Sequence, residues 1–133
     1  MPSDASSREL DDYLAAHPET RYLETLLADM NGILRGKRAE RHDFRKLFGN
    51  GMNLCAATAV LDSRGHTFVC TPLGGKDGDP DVKALAVPGS MAPVPWVGVP
   101  TAQVLVEMHR FDGTLYPYDP RNVLRRALQP LRD

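Results

Sequence analysis

Cysteine is nearly missing from this chain, and the two present are poorly placed for joint chemistry. Cys55 and Cys70 form no Cys-x-x-Cys pair, and no histidine stands at the spacing of a zinc partner. Both thiols are therefore expected to be buried core groups. Long hydrophobic runs are absent too: nothing approaches the roughly 18 apolar residues of a membrane-spanning helix. Neither charge dominates, with 16 basic and 17 acidic residues and a net charge of -1, so no global field draws the chain to nucleic acid or membrane. The first residues, Met1-Pro-Ser-Asp-Ala-Ser-Ser-Arg-Glu, are polar and partly acidic, unlike a secretory leader. A cytoplasmic protein without internal repeats is expected.

Several catalytic signatures fail in the same way. Gly74-Gly75-Lys76 lacks the earlier glycine of a phosphate loop, where Cys70 stands, and the hydroxyl after the lysine, where Asp77 stands. Asp77, Asp79 and Asp81 imitate the start of a calcium loop, but Val82 replaces its sixth-position glycine and Pro88 its closing glutamate. His17, His42, His66 and His109 are scattered, and no serine has a recognisable elbow or base partner.

What the chain does have is enough length, 133 residues, for a single domain with its own core. Apolar spacing at Leu10, Tyr13 and Leu14 predicts a short first helix, capped by Ser6 or Ser7 and stopped at Pro18. Asn31-Gly32 between apolar runs predicts an antiparallel hairpin from Tyr22 to about Glu40, both residues tolerating positive φ. A helix follows from His42, burying Phe44, Leu47 and Phe48 and ending at Gly49. Met52–Leu61 reads as a buried strand, Asp62–Gly65 as a turn, and His66–Cys70 as another strand. Gly74–Asp81 reads as a loop, with extended segments at Val82–Val87 and Pro93–Val99.

Thr101–Arg110 alternates as a late strand, and Phe111-Asp112-Gly113 turns the chain. Asp119 as N-cap and Pro120 at the first helical position open a last helix with Val123, Leu124, Ala127 and Leu128 as its apolar stripe. The order predicts an α+β domain: a small mixed sheet crossed by a helix, of β-grasp (ubiquitin-like) architecture, with flanking N- and C-terminal helices. One charged feature stands out, the cluster of Arg35, Lys37, Arg38, Arg41, Arg45 and Lys46. It reads either as a solvated rim or as a contact for an acidic partner or a phosphate.

Leu27-Ala-Asp-Met-Asn-Gly-Ile-Leu-Arg-Gly-Lys-Arg38 resembles the start of the N-terminal domain of the glutamine synthetase family, most closely its γ-glutamyl–amine ligase branch. Gly78-Asp-Pro-Asp, Val87-Pro-Gly-Ser, Ala92-Pro-Val-Pro-Trp96, Ala102-Gln-Val-Leu and Tyr118-Asp-Pro-Arg121 follow in family order. The resemblance implies a β-grasp domain over residues 19-115, preceded by a helical extension over 1-18. Residues 116-133 would be the linker and first helix leading to a catalytic domain. It further implies an ATP-dependent ligase that joins glutamate to ammonia or an amine, using Mg or Mn, in a ring whose active sites lie between subunits. On that basis this stretch closes a neighbour's site, holds no cofactor itself and is inactive alone. Expected partners are further copies of the chain or full-length family subunits.

Cys55, Ala56, Ala57 and Thr58 occupy the candidate edge of the inter-subunit site, where ammonia-using members carry Asp-Gly-Ser-Ser. They lack its carboxylate, which argues against ammonium binding there. Arg35, Lys37 and Arg38 are the candidate interface. The alternative is a stand-alone β-grasp module that docks on full-length enzymes and modulates them.

Overall fold

The computed structural model describes residues 4–68, 73 and 77–132. Cys70, the end of its expected strand and the Gly74-Gly75-Lys76 segment lie outside the described residues. The protein is a mixed α+β structure: α1 (Asp4–Ala16), β1 (Tyr22–Ala28), β2 (Leu34–Arg35), β3 (Arg38–Glu40), α2 (Phe44–Asn50), β4 (Met52–Cys55), β5 (Asp81–Ala86), β6 (Ala92–Pro93), β7 (Thr101–His109) and α3 (Pro120–Leu128). The described strands hydrogen-bond in the order β2-β1-β7-β5-β4, with β3 also on β1 and β6 also on β7. β1 runs antiparallel to β2 and β3 but parallel to β7.

Two compact units divide the chain. The first comprises Met1–Leu26, Gly36–Met52 and Leu85–Val106. Here α1 packs on α2, burying Leu10 against a core that includes Phe44, Leu47, Phe48 and Val104. Glu9 fastens α1 further, its carboxylate accepting from the amides of Gly89 (2.7 Å) and Met91 (3.0 Å). The helix is already formed at Asp4, so neither Ser6 nor Ser7 caps it, and Ser6 is a buried residue inside it. Phe44, Leu47 and Phe48 are buried as their spacing predicts. Gly49, however, lies within α2, and the stop is Gly51, whose φ of 69° only glycine adopts readily. Of Pro93–Val99 only Pro93 is in a strand, the second residue of β6, as expected where prolines remove ladder donors.

The second unit comprises Leu27–Arg35, Asn53–Ala84 and Glu107–Asp133. Its core includes Leu27, Leu54, Ala59, Val82 and Met108. The expected strand over Met52–Leu61 stops at Cys55, and Ala56–Val60 winds into a 3-10 turn. Alanine is a poor strand former, and Ala56, Ala57 and Ala59 are buried without extending the ladder. Asp62–Gly65 turns as predicted, Gly65 N donating to Asp62 O at 3.0 Å. His66–Phe68 is not a strand.

The last helix begins where its signals place it, with Asp119 as N-cap and Pro120 in its first turn. Its expected apolar stripe is outside, however: Val123, Leu124 and Leu128 are exposed, and the buried residue of the helix is Asn122.

Candidate functional site

The hairpin tip is built on a buried carboxylate. Leu23, Thr25 and Leu27 take the inward positions of β1, and Asp29 follows at the next one, fully buried in its side chain. It is tolerated there because every face is answered. Asp29 Oδ1 accepts from the amides of Asn31 (2.8 Å) and Ile33 (2.9 Å), and Oδ2 from Arg35 Nε (2.6 Å). Burial works to raise this carboxyl, but the Arg35 guanidinium and the two amides outweigh it and hold it below the usual range. Arg35 also donates to Asp62 O at 2.8 Å, and Asn31 Nδ2 to Leu61 O at 2.8 Å. Of the turn residues, Gly32 takes the positive φ (76°) and Asn31 does not.

The three candidate interface residues therefore divide. Arg35 is bound within the fold by Asp29 and Asp62. Arg38 is half in solvent, bridged to Glu24 and lying 5.6 Å over the Tyr22 ring. Lys37 is exposed in its side chain, and its backbone is clasped by Thr25: Lys37 N donates to Thr25 Oγ1 at 2.9 Å and Thr25 N donates to Lys37 O at 2.9 Å. Two arginines of the wider basic cluster are likewise committed: Arg41 donates to Pro18 O and Thr20 O, and Arg45 pairs with Asp11.

Cys55, Ala56, Ala57 and Thr58 lie where β4 passes into its 3-10 turn. Cys55 is half-buried with its thiol 4.0 Å from Asp79 O, and Ala56 N donates to Pro80 O at 2.9 Å. Ala56 and Ala57 are buried and Thr58 is half-buried. The stretch offers one thiol and one hydroxyl and no carboxylate.

A second cluster, not foreseen from the sequence, lies at α3. Asp119 Oδ1 caps the helix through Arg121 N (2.8 Å) while Oδ2 accepts from Met108 N (2.6 Å). Asn122 Nδ2 donates to Met108 O (3.0 Å) and Tyr116 O (3.1 Å). Burial pushes the Asp119 carboxyl above the usual range despite these amide donors. Glu107 faces Arg125 (2.5 Å), Arg121 (3.5 Å) and His109 (3.1 Å). Burial opposes ionisation there too, but Arg125 and His109 win and hold its carboxyl low. Tyr118-Asp-Pro-Arg121 is thus in part an anchoring device. The signal that would have found Asn122 is a polar residue one turn from the cap on the helix's inward face.

Among the described residues no three His, Cys, Asp or Glu side chains converge as metal ligands, and Asp29 and Asp119 spend their oxygens inside the fold. A cleft of about 260 Å³ in the first unit, between Tyr13 of α1, His17 just after it and the Pro93–Thr101 segment, is walled largely by proline, valine and threonine. No helix among the described residues is long and apolar enough to cross a membrane.

The chain matches no family model. It is 35% identical over 128 residues to the γ-glutamylputrescine synthetase PuuA of Escherichia coli K12, a match covering 96% of this chain and 27% of that protein. Among solved structures, a novel glutamine synthase homolog superposes with a TM-score of 0.72 at 22% identity, covering 86% of this chain and 27% of that one. GmaS in its ADP complex gives 0.67 at 21% identity, with 99% and 26% covered. The Plasmodium falciparum glutamine synthetase gives 0.67 at 12% identity, with 94% and 22% covered. The chain spans about a quarter of the length of each protein that it matches. In sequence and in fold, then, this chain is similar to a partial, N-terminal domain of glutamine synthetase homologues.

Proposed function

We propose that this chain serves as the N-terminal β-grasp domain of a glutamine synthetase-like, ATP-dependent γ-glutamyl–amine ligase of the cytosol, completing active sites between subunits. The observation that carries the reading is the 35% identity with γ-glutamylputrescine synthetase over 96% of the chain. The β1–β2 hairpin, with β7 parallel to β1 and next to it in the sheet, supports the β-grasp assignment. In this reading residues 19-115 form the β-grasp body, 1-18 a helical extension, and 116-133 the approach to the catalytic domain. Glutamate, ATP and the Mg or Mn ions bind to that domain, and this part is inactive by itself.

Cys55–Thr58 would line the edge of the neighbouring site by shape alone, consistent with an amine rather than ammonium as acceptor. Lys37 and Arg38 would face the adjoining subunit. A chimera tests this. With this chain in place of the matching quarter of E. coli γ-glutamylputrescine synthetase, the enzyme should assemble and form γ-glutamylputrescine. The isolated chain should release no ADP from ATP with glutamate and putrescine. An assembled but inactive chimera, or turnover by the isolated chain, overturns the proposal.

A further inference from the structure

Asparagine precedes glycine twice in this chain, at Asn31-Gly32 and at Asn50-Gly51. Such a pair can lose the asparagine side-chain amide without an enzyme, because glycine has no Cβ to shield its own nitrogen. That nitrogen gives its proton to solvent hydroxide and adds to the asparagine Cγ. The Cγ–Nδ2 bond breaks, ammonia leaves with a proton from water, and a succinimide ring closes. Water then opens the ring at either carbonyl, leaving aspartate or isoaspartate. Nothing is oxidised or reduced: an amide and water become a carboxylate and ammonium.

Both asparagines are exposed, so access does not separate them. What separates them is how firmly the reacting atoms are held. Asn31 Nδ2 donates to Leu61 O at 2.8 Å, Asn31 N to Asp29 Oδ1 at 2.8 Å, and Gly32 N to Asp29 O at 3.0 Å. The Asn31 amide and the nitrogen that would attack it are each pinned, and Arg35 in turn holds Asp29.

Asn50 is the last residue of α2, and its side chain makes no hydrogen bond among the described residues. Gly51 N is held by one bond, to Leu47 O at 3.0 Å. Gly51 is buried, but the attack comes from within the chain and needs only the last turn to open, and helix ends open most easily. Lys46, exposed one turn earlier on the same face of α2, puts an ammonium near Asn50. Its charge favours both the anionic nitrogen and the oxyanion formed on addition.

We propose that Asn50 is the site of spontaneous deamidation in the folded chain, and that the hairpin network protects Asn31. The product sets a carboxylate at the C-terminal end of α2, against the helix dipole. Isoaspartate also lengthens the main chain just before the Gly51 stop. The change therefore loosens the helix that buries Phe44, Leu47 and Phe48. It rests on local geometry and holds whether or not the ligase assignment does.

The test ages the whole chain at mildly alkaline pH and maps it with trypsin, whose cuts at Arg35 and Lys46 leave the two asparagines on different peptides. Mass spectrometry should show Asn50 converting about fivefold faster than Asn31 or more, the factor that one further hydrogen bond carries. In concentrated guanidinium chloride, where neither side chain is held, the two rates should converge. Asn50→Gln should keep the circular dichroism of the wild type and prevent the first acidic species seen on ion exchange. That species, purified from the aged wild type, should unfold at lower urea than fresh protein. Conversion at Asn31 that equals or outruns Asn50 in the folded chain overturns the proposal. So does a ratio that persists in guanidinium chloride, or an acidic species that still forms in Asn50→Gln as fast as in the wild type. An aged species as stable as fresh protein overturns the loosening of α2.

Discussion

Replacing Gly36 by alanine should cost the fold more than a methyl group added at glycines such as Gly32, Gly49, Gly89 or Gly98, where the added atom meets nothing. A Cβ at Gly36 would sit 1.6 Å from the Thr25 carbonyl oxygen and 2.9 Å from Thr25 Oγ1. The obstacle is backbone, which cannot rotate away as a side-chain tip can. To reach ordinary contact at 3.4 Å the two strands must part by about 1.8 Å, and the bonds linking Thr25 to Lys37 break with that movement. They are Thr25 N to Lys37 O (2.9 Å), Thr25 Oγ1 to Lys37 O (3.0 Å) and Lys37 N to Thr25 Oγ1 (2.9 Å). At about 1 kcal/mol each they amount to roughly 3 kcal/mol, offset by about 0.5–1 kcal/mol from the stiffer unfolded chain.

A net loss of about 2–3 kcal/mol is a large share of the roughly 5–15 kcal/mol typical of a domain. In urea it should lower the midpoint by about 1–2 M. The control is Gly49→Ala, inside α2 with nothing within 4 Å of its added methyl, which should gain about 0.5–1 kcal/mol from helix propensity. Far-UV circular dichroism is the right signal, because Trp96 is 73% exposed and reports little of the core. A Gly36→Ala midpoint that matches the wild type would refute the account of the β1–β3 clasp.

Asn122→Ala should destabilise by about 2–4 kcal/mol in the same assay, since it strips a donor from the buried carbonyls of Met108 and Tyr116; a loss below about 0.5 kcal/mol would mean that water replaces it. Asp29→Asn should weaken the fold at pH 7 and progressively less in acid. The folded carboxyl of Asp29 is held below its unfolded value, so its contribution is complete above the unfolded pKa of about 3.9 and fades as pH falls through the folded one. Equal urea shifts at pH 7 and pH 3 would contradict this. Ala57→Asp, which places a carboxylate at a position only 3% exposed, should cost about 2–4 kcal/mol and should not confer ammonium binding. Trp96 should emit as a water-exposed indole and be quenched freely by acrylamide, and a shielded spectrum would show that another chain covers it.

Local rules carried the sequence reading wherever neighbouring residues decide the outcome. The alternation of Val104, Val106 and Met108, the turn at Asp29–Gly32, and the Asp119-Pro120 helix start all depend on side chains a few positions apart, and all are found. Gly51 ended α2 in place of Gly49 because a stop depends on which glycine reaches positive φ, not on which comes first. What was illegible is long-range. Gly36 reads as a flexible residue until Thr25 is seen pressed against it, eleven positions away. Arg35 reads as a surface charge until the buried Asp29 claims it. The α3 stripe misled because periodicity tells which residues share a face and not which face turns inward; hydrogen bonds from Asn122 and Asp119 decided that. At the candidate site, the lack of a carboxylate over Cys55–Thr58 was visible at once, while the 3-10 winding that buries Ala56 and Ala57 was not.

The fastening of α3 has a mechanical consequence. Two neighbouring residues of β7 bear it: Glu107 pairs with Arg125 and Arg121, while the Met108 amide is gripped by Asp119 and the Met108 carbonyl takes both Asn122 Nδ2 and Tyr116 N. With its leucines facing outward, the helix is riveted rather than glued. Any force that lifts it loads the backbone on either side of Met108 first, and deuterium uptake at Met108 becomes a gauge of whether the rivet is in place.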